Sequence, residues 1–472
     1  MITRRNLLRG KLFQAYTPDA DVHLLNRISY GATPESLAEL RDIGRTTYLD
    51  AQLNPNQIDD SDCDERLRTL PLLQMDWRTT ANMRDAEWRS AETLRDAFIT
   101  RAVHSKRQLF ERTVEFWADH FNIALEDNGV DLLELHRSGL RRHAFSRFHH
   151  LLLATAKSPA MLVYLDNAFS TAQHPNENYA RELLELHTLG VDGGYTEQDV
   201  VEVARAFTGW TTHNGTADRF YFSAEDHDTG RKRVLGHALP AGRGIEDGLH
   251  VLTILASHPS TARFVGRKLC VRFVSDNPPA SLLDSTTAVW QQTRGDIRAV
   301  LRHILTSDEF AASAGQKLRR PLDFFVGALR ATSTTLRSTW RLEEMLAQLG
   351  QPPYQWHPPN GYPDVAGAWL STGGLMARWQ VAQTLTHEAY SVEDYELTTT
   401  LRDPIGTPRT AGELVDAVAA QVFGAPLTGT PRQRFLSYIG RADTDPIDAP
   451  LIGRKLATLY GLMLSSPYFQ WR

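Results

Sequence analysis

The chain has 472 residues, a net charge of −5, 42% hydrophobic and 23% charged residues, and two cysteines. That balance is ordinary for a globular protein of two or three domains or one large helical one, and it argues against a nucleic-acid binder. Cys63 and Cys270 show neither metal-site nor disulfide-framework spacing, and no run of about 18 apolar residues exists to span a bilayer.

Seven of the 51 basic residues are lysine and the rest arginine. Genome composition accounts for that bias as readily as carboxylate or phosphate recognition does. Near the start, Arg4-Arg5-Asn6-Leu7-Leu8 resembles the opening of a twin-arginine export signal, but the apolar core of about 7–15 residues that such a signal needs does not follow. Residues 1–20 therefore read as a degenerate signal-like segment. The expected location is the cytoplasm, with twin-arginine export as the alternative if the true start lies upstream.

The segments that follow read mainly as helices. "TPESLAELRDIGRTTYLDAQL" starts at a Thr33-Pro34 cap and repeats apolar residues at Leu37, Leu40 and Ile43. "RDAFITRAVHSKRQLFERTVEFWADHFN" and "SGLRRHAFSRFHHLLLATAKS" are amphipathic with helical period. Strand-like alternation is confined to "DRFYFSAEDHDTG" and "RKRVLGHAL", candidates for a small hairpin around 219–239. "LRHILTSDEF" and "LYGLMLSSPYF" both end an apolar helix with serine, a turn-favouring residue and an anchoring Phe, and "LLLATAKSPAML" is a looser echo. Residues 351–374, rich in Pro, Gly and Trp, read as a functional loop or lid. The pattern predicts an all-α, multi-helix globular fold with at most a small β-hairpin. It divides into a main helical domain over 21–390 and a C-terminal helical subdomain over 391–472.

Three polar segments are candidates for chemistry. On a helical wheel the first, from Asn176, puts Glu177, Asn178, Arg181, Glu182 and Glu185 within an arc of about 140°, with Ala180, Leu183, Leu184 and His187 on the other side. One straight helix cannot turn Glu182 and His187 toward the same small ligand, and no H-E-x-x-H or E-x-x-H spacing is present. Glu177, Arg181 and Glu185 also make a plain i, i+4 ladder. The second segment, "ERTVEFWADHFN", sets Arg112, Glu115 and Asp119 on one face as local pairs, and His120 among Phe116, Trp117 and Phe121. A histidine there is either a satisfied core residue or a ligand or base. The third, "EDHDTGRKRVLGH", offers His227 and Asp228 as metal ligands or as an Asx-type turn.

Several long stretches in order carry a family resemblance: "HLLNRISYGATPESL", "FWADHFNI", "SPAMLVYLDN", "NENYARELLELHTLGVDGGYTEQDVVEVARAFTGWT", "HDTGRKRVLG", "HPSTARFVGRKLCVRFVSDNPP" and "SSPYFQWR". Through most of its length the chain resembles the bacterial family known as domain of unknown function 1800. The resemblance implies a large, mainly helical fold. It also implies a possible partner, a sulfatase-like protein of the domain-of-unknown-function 1501 family encoded nearby. It names no reaction.

Two functions compete. In the first, a hydrolase-type enzyme builds its pocket from the 176–187 helix, His120 and the His227 turn. Glu182 and Glu185, with Arg181, would then supply paired carboxylates for acid–base work, with Trp210, Trp356 and Trp369 stacking against sugar rings. Alternatively, His120, His227 and Asp228 would hold a divalent metal ion that activates water. In the second, the chain is a non-catalytic partner or maturation protein for the sulfatase-like neighbour. The enzyme reading requires His120, Glu182 and His227 to line one cavity, with Arg181 and Glu182 buried as a pair and His187 hydrogen-bonded in the core.

Overall fold

Capping residues start many of the helices where the sequence marks them. In the computed structural model, which describes residues 18–125, 128–213, 219–336, 340–386, 397–399, 401 and 405–472, Thr33 caps helix Pro34–Ile43 in a reciprocal box with Ser36. The helical period then breaks at glycine: Gly44, at φ +80°, ends that helix, and Arg45–Gln52 begins a second. The segment 95–122 is likewise split. Helix Ala86–His104 stops at Ser105, and helix Gln108–His120 follows. Asp60 holds the corner by accepting from Ser105 Oγ and from the Lys106 amide, both at 2.7 Å. The Arg4-Arg5 segment, and part of the stretch assigned to a C-terminal subdomain, lie outside the described residues.

The fold is all-α. Sixty-four percent of it is helical, and strand is limited to three two-stranded antiparallel ladders among the described residues. Two of them lie in or beside the expected hairpin region. Trp210–Thr212 pairs with Phe220–Phe222, and Lys232–Val234 pairs with His237–Leu239. The candidate strands thus do not pair with each other; each takes the neighbour closest in sequence. The third ladder joins Thr334–Leu336 to Leu397–Thr399. No helix among the described residues is long and apolar enough to cross a membrane.

Apolar side chains gather in two large clusters. The first runs from Val22 to Phe310, and the second takes Tyr30, Ile99, Ala102 and Val103 together with residues from Leu322 to Phe469. Helix Ala86–His104 serves both, with Ala91 and Leu94 in the first and Ile99, Ala102 and Val103 in the second. A charged seam runs between them. From helix Gln108–His120, Arg112 pairs with Asp323, and Glu115 with Arg272 and Arg320. Asp323 also receives Arg472 at 2.8 Å. Arg112, Glu115 and Asp119 were expected to pair locally along their own helix. Their partners lie instead on helix Pro259–Phe273 and on helix Pro321–Ala331 with its cap residue Arg320, because burial leaves an unanswered charge far costlier than an exposed one.

Candidate functional site

Helix Gln108–His120 ends at a cavity of about 330 Å³. Its other walls are helix Pro259–Phe273, through Phe264, Arg267, Lys268 and Arg272, and the Pro/Trp-rich loop, through Trp356 and residues 360–364. The loop is tied down at several points. Asn122 donates to the carbonyls of Trp356 (2.7 Å) and Pro358 (2.9 Å), and Tyr164 donates to that of His357. Lys317 donates to the Asp364 carbonyl at 2.6 Å, and Trp369 to that of Pro363 at 2.9 Å. Gly361 stands at φ +70° against the end of the helix, where a Cβ would lie 2.0 Å from the Asp119 carbonyl oxygen. So anchored, the loop acts as a fixed wall.

His120 is 1% exposed and both of its ring nitrogens are engaged. Nε2 lies 3.0 Å from the backbone carbonyl of His187, so it must carry the proton and donate. That leaves Nδ1 as an acceptor, and Lys268 Nζ donates to it at 2.9 Å. Burial, reinforced by the Lys268 charge, holds the His120 imidazole well below its usual pKa and hence neutral. Burial also pulls the half-buried Lys268 ammonium down to about 8, with Asp119 pulling the other way. A neutral amine that gives one N–H to Nδ1 keeps its lone pair for the cavity.

The carboxylates at this cavity are already committed. Asp119 accepts from Arg320 (2.8 Å) and Arg272 (3.0 Å), yet burial still raises its pKa. Burial opposes the charge on Asp364 as well, but Arg272, Lys317 and Arg320 outweigh it and keep that carboxyl far below its ordinary range. Arg267, by contrast, is exposed at the rim with no ion pair among the described residues.

The expected convergence of His120, Glu182 and His227 does not occur. Of the three, only His120 lines this cavity. Arg181 is half-exposed and pairs with Glu197 (2.8 Å) and Glu177 (3.3 Å), not with Glu182. Glu182 and Glu185 remain on the partly exposed face of their helix, and burial together with Glu185 raises the Glu182 carboxyl. The charged face thus packs as an ion-paired surface, and the helix meets the cavity region from its apolar side. His187 is buried there with its ring centroid 6.1 Å from that of His120. It was expected to find a hydrogen-bond partner, but its Nε2 has none among the described residues. The straight-helix assumption also fails. Glu177–Glu182 is α-helical, whereas Leu183–Thr188 is π-helical, and a π turn departs from the 100° step.

His227 and Asp228 belong to a separate buried cluster. His227 Nδ1 donates to the Thr208 carbonyl at 2.8 Å, and Asp228 is held by Arg205 at 2.7 Å, which lowers its pKa. Beside them Lys232 pairs with Asp247 at 2.8 Å. His120, His227 and Asp228 therefore do not form a common ligand set, and no group of three or more His, Cys, Asp or Glu suited to a metal ion occurs among the described residues. Of the three tryptophans, only Trp356 lines the cavity. Trp369 stands behind it against Tyr362, at 6.2 Å between ring centroids, and Trp210 is fully buried in the first core.

Lys268 was missed because it stands among arginines in "FVGRKLCVRF", a stretch that carries the family resemblance but no spacing that marks a base or a ligand. The available signal was its rarity, since a chain with seven lysines among 51 basic residues uses arginine by default. Fold and site together define a large all-helical protein with a lysine–histidine cavity between two helices and an anchored loop. The chain belongs to the protein family of unknown function DUF1800, whose family model matches residues 23–471. No curated protein and no solved structure matches it.

Proposed function

We propose that the protein is a hydrolase-type enzyme working at this cavity, with Lys268 as the base and Arg267 holding a small anionic substrate. The observation that carries the reading is the 2.9 Å contact between Lys268 Nζ and a His120 whose tautomer is set by the His187 carbonyl. An amine near pKa 8 is part-neutral at physiological pH, which suits proton abstraction from water. Phe116, Phe264, Trp356 and Tyr362 line the cavity with aromatic surface, which would bury the apolar part of a substrate. In this reading the carboxylates of the 176–187 helix take no part, and the base is an amine.

With seven lysines, competitive acylation read by mass spectrometry can follow each amine separately from pH 6 to 11. Lys268 should titrate near 8, well below the exposed lysines. A panel of carboxylic and phosphoric esters should be turned over by the wild type and not by Lys268→Met, at unchanged Tm. Turnover that survives in Lys268→Met would remove Lys268 from the chemistry.

One observation favours the second reading, a docking partner for a sulfatase-like neighbour. Met376 and Trp379 are about half exposed and lie one helical turn apart on helix Thr372–Thr386, an uncommon apolar pair to leave in water. If they form the docking face, co-expression with the neighbour should give a stable complex that Trp379→Glu disrupts.

A further inference from the structure

A second cavity, of about 300 Å³, lies near the opposite end of helix Gln108–His120. Its charged lining is Arg68, Arg101, Arg137 and Arg141, with Asp64 as the only carboxylate. Two of the guanidiniums are already answered. Glu111 grips Arg141 through two bonds of 2.7 and 2.6 Å, and Arg137 binds Glu134 and the Met75 carbonyl. The Arg101 guanidinium has no hydrogen bond or ion pair among the described residues, although the side chain is half-buried. Burial and the neighbouring Arg141 charge depress its pKa to about 10. A guanidinium so placed is stabilised by an anion that fits its planar fork.

The backbone helps to build the site. Residues Leu135–Leu140 are π-helical, and the Arg141 amide bonds back to the His136 carbonyl. A π turn takes more than four residues, so His136 and Arg141, five apart, reach the same wall where an α-helix would set them about 140° apart, and Arg137 joins them as the i, i+4 neighbour of Arg141. Neutral His136, held down to about 3 by burial and by Arg141, adds no positive charge.

We infer that this cavity binds a small phosphorylated molecule, with the phosphoryl oxygens held by Arg101 and Arg68 and the remainder packed against Leu67, Leu73, Leu94 and Leu133. Arg137 and Arg141, pinned by their carboxylates, add a preorganised field behind it. Glu111 precedes His120 by nine positions, roughly 14 Å along the helix axis, so this site is separate from the Lys268 cavity and does not depend on how that cavity works.

The test is thermal unfolding of the full chain with sodium pyrophosphate, against sodium chloride at matched ionic strength. Pyrophosphate should raise Tm in a saturable way and chloride should not. Arg101→Met should weaken the apparent affinity at least tenfold while leaving the unliganded Tm equal or higher, since an unpartnered charge is gone. Arg68→Ala, at an exposed position, should weaken it several-fold, and Lys268→Met should respond like the wild type. A wild type indifferent to pyrophosphate, or an Arg101→Met protein that responds in full, overturns the inference. Should Arg101→Met not fold, an undiminished response in Arg68→Ala would do the same.

Discussion

At the scale of single residues, cations divide by role. Lys232 and Lys317 are 1% exposed and Lys268 is half-buried, in a chain whose basic residues are mostly arginine. Lysine offers three rotatable donors on a compact charge that can lose its proton. Lys317 uses them to join Asp276 and Asp364, whereas Lys268 is placed where the proton can leave. Arginine serves where fixed charge is needed. Arg320 answers both Glu115 and Asp119 at 1% exposure, so Arg320→Met should destabilise by about 3–5 kcal/mol by leaving buried carboxylates short of a partner. Arg181→Ala should leave the urea midpoint within experimental error, because its pairs face solvent. Equal losses from the two variants would mean that the seam between the cores carries no special weight.

Among the elements, the recurring serine phrase proves to be a way of stopping one helix and starting another at an angle. Helix Ile297–Leu305 ends before Ser307, whose Oγ accepts the Phe310 amide at 3.1 Å, and Phe310 then anchors in the core. After helix Ala449–Ser465, Ser466 turns the chain into Pro467–Gln470, and Phe469 is buried beneath Arg319. The Pro/Trp-rich loop needs a different device, because it must touch a helix end with its backbone. Gly361→Ala combines a left-handed φ with a collision against the Asp119 carbonyl. It should cost about 1–3 kcal/mol in urea unfolding and return the Lys268 amine toward ordinary lysine values in the acylation profile, as the wall moves and water enters. A stable variant with an unchanged profile would show that the loop does not shape the cavity.

For the whole molecule, buried neutral histidines set the response to acid. Burial holds His23 at about 4, His136 and His187 at about 3, and His120 well below its usual value. In the unfolded chain these rings titrate near 6.5. Below that pH the unfolded state binds protons that the folded state refuses, so stability falls as pH falls, by up to ~1.4 kcal/mol per unit for each ring. The contribution is intact above pH 6.5 and erodes continuously toward pH 4. The urea midpoint should therefore drop steadily between pH 6.5 and 5, before most carboxylates titrate. A flat midpoint across that interval would mean that the rings gain protons without unfolding.

The local order of the chain was legible in residues that act on near neighbours. Thr33-Pro34 starts a helix because a side-chain oxygen and a preset φ meet backbone donors within one turn. His187 is buried because it shares the apolar side of its helix with Leu183 and Leu184. Tertiary structure alone decided which polar residues meet. Lys268 and His120 are 148 positions apart, and Arg320 and Asp119 are 201 apart. Periodicity showed that Glu182 and Arg181 share a face, but it could not show that this face would stay partly in water while the apolar face turned toward His120. Burial decides that. A buried charge or imidazole must find its partner wherever packing brings one, so pairs such as Lys268–His120 and Arg141–Glu111 follow from contacts that no short window of sequence contains.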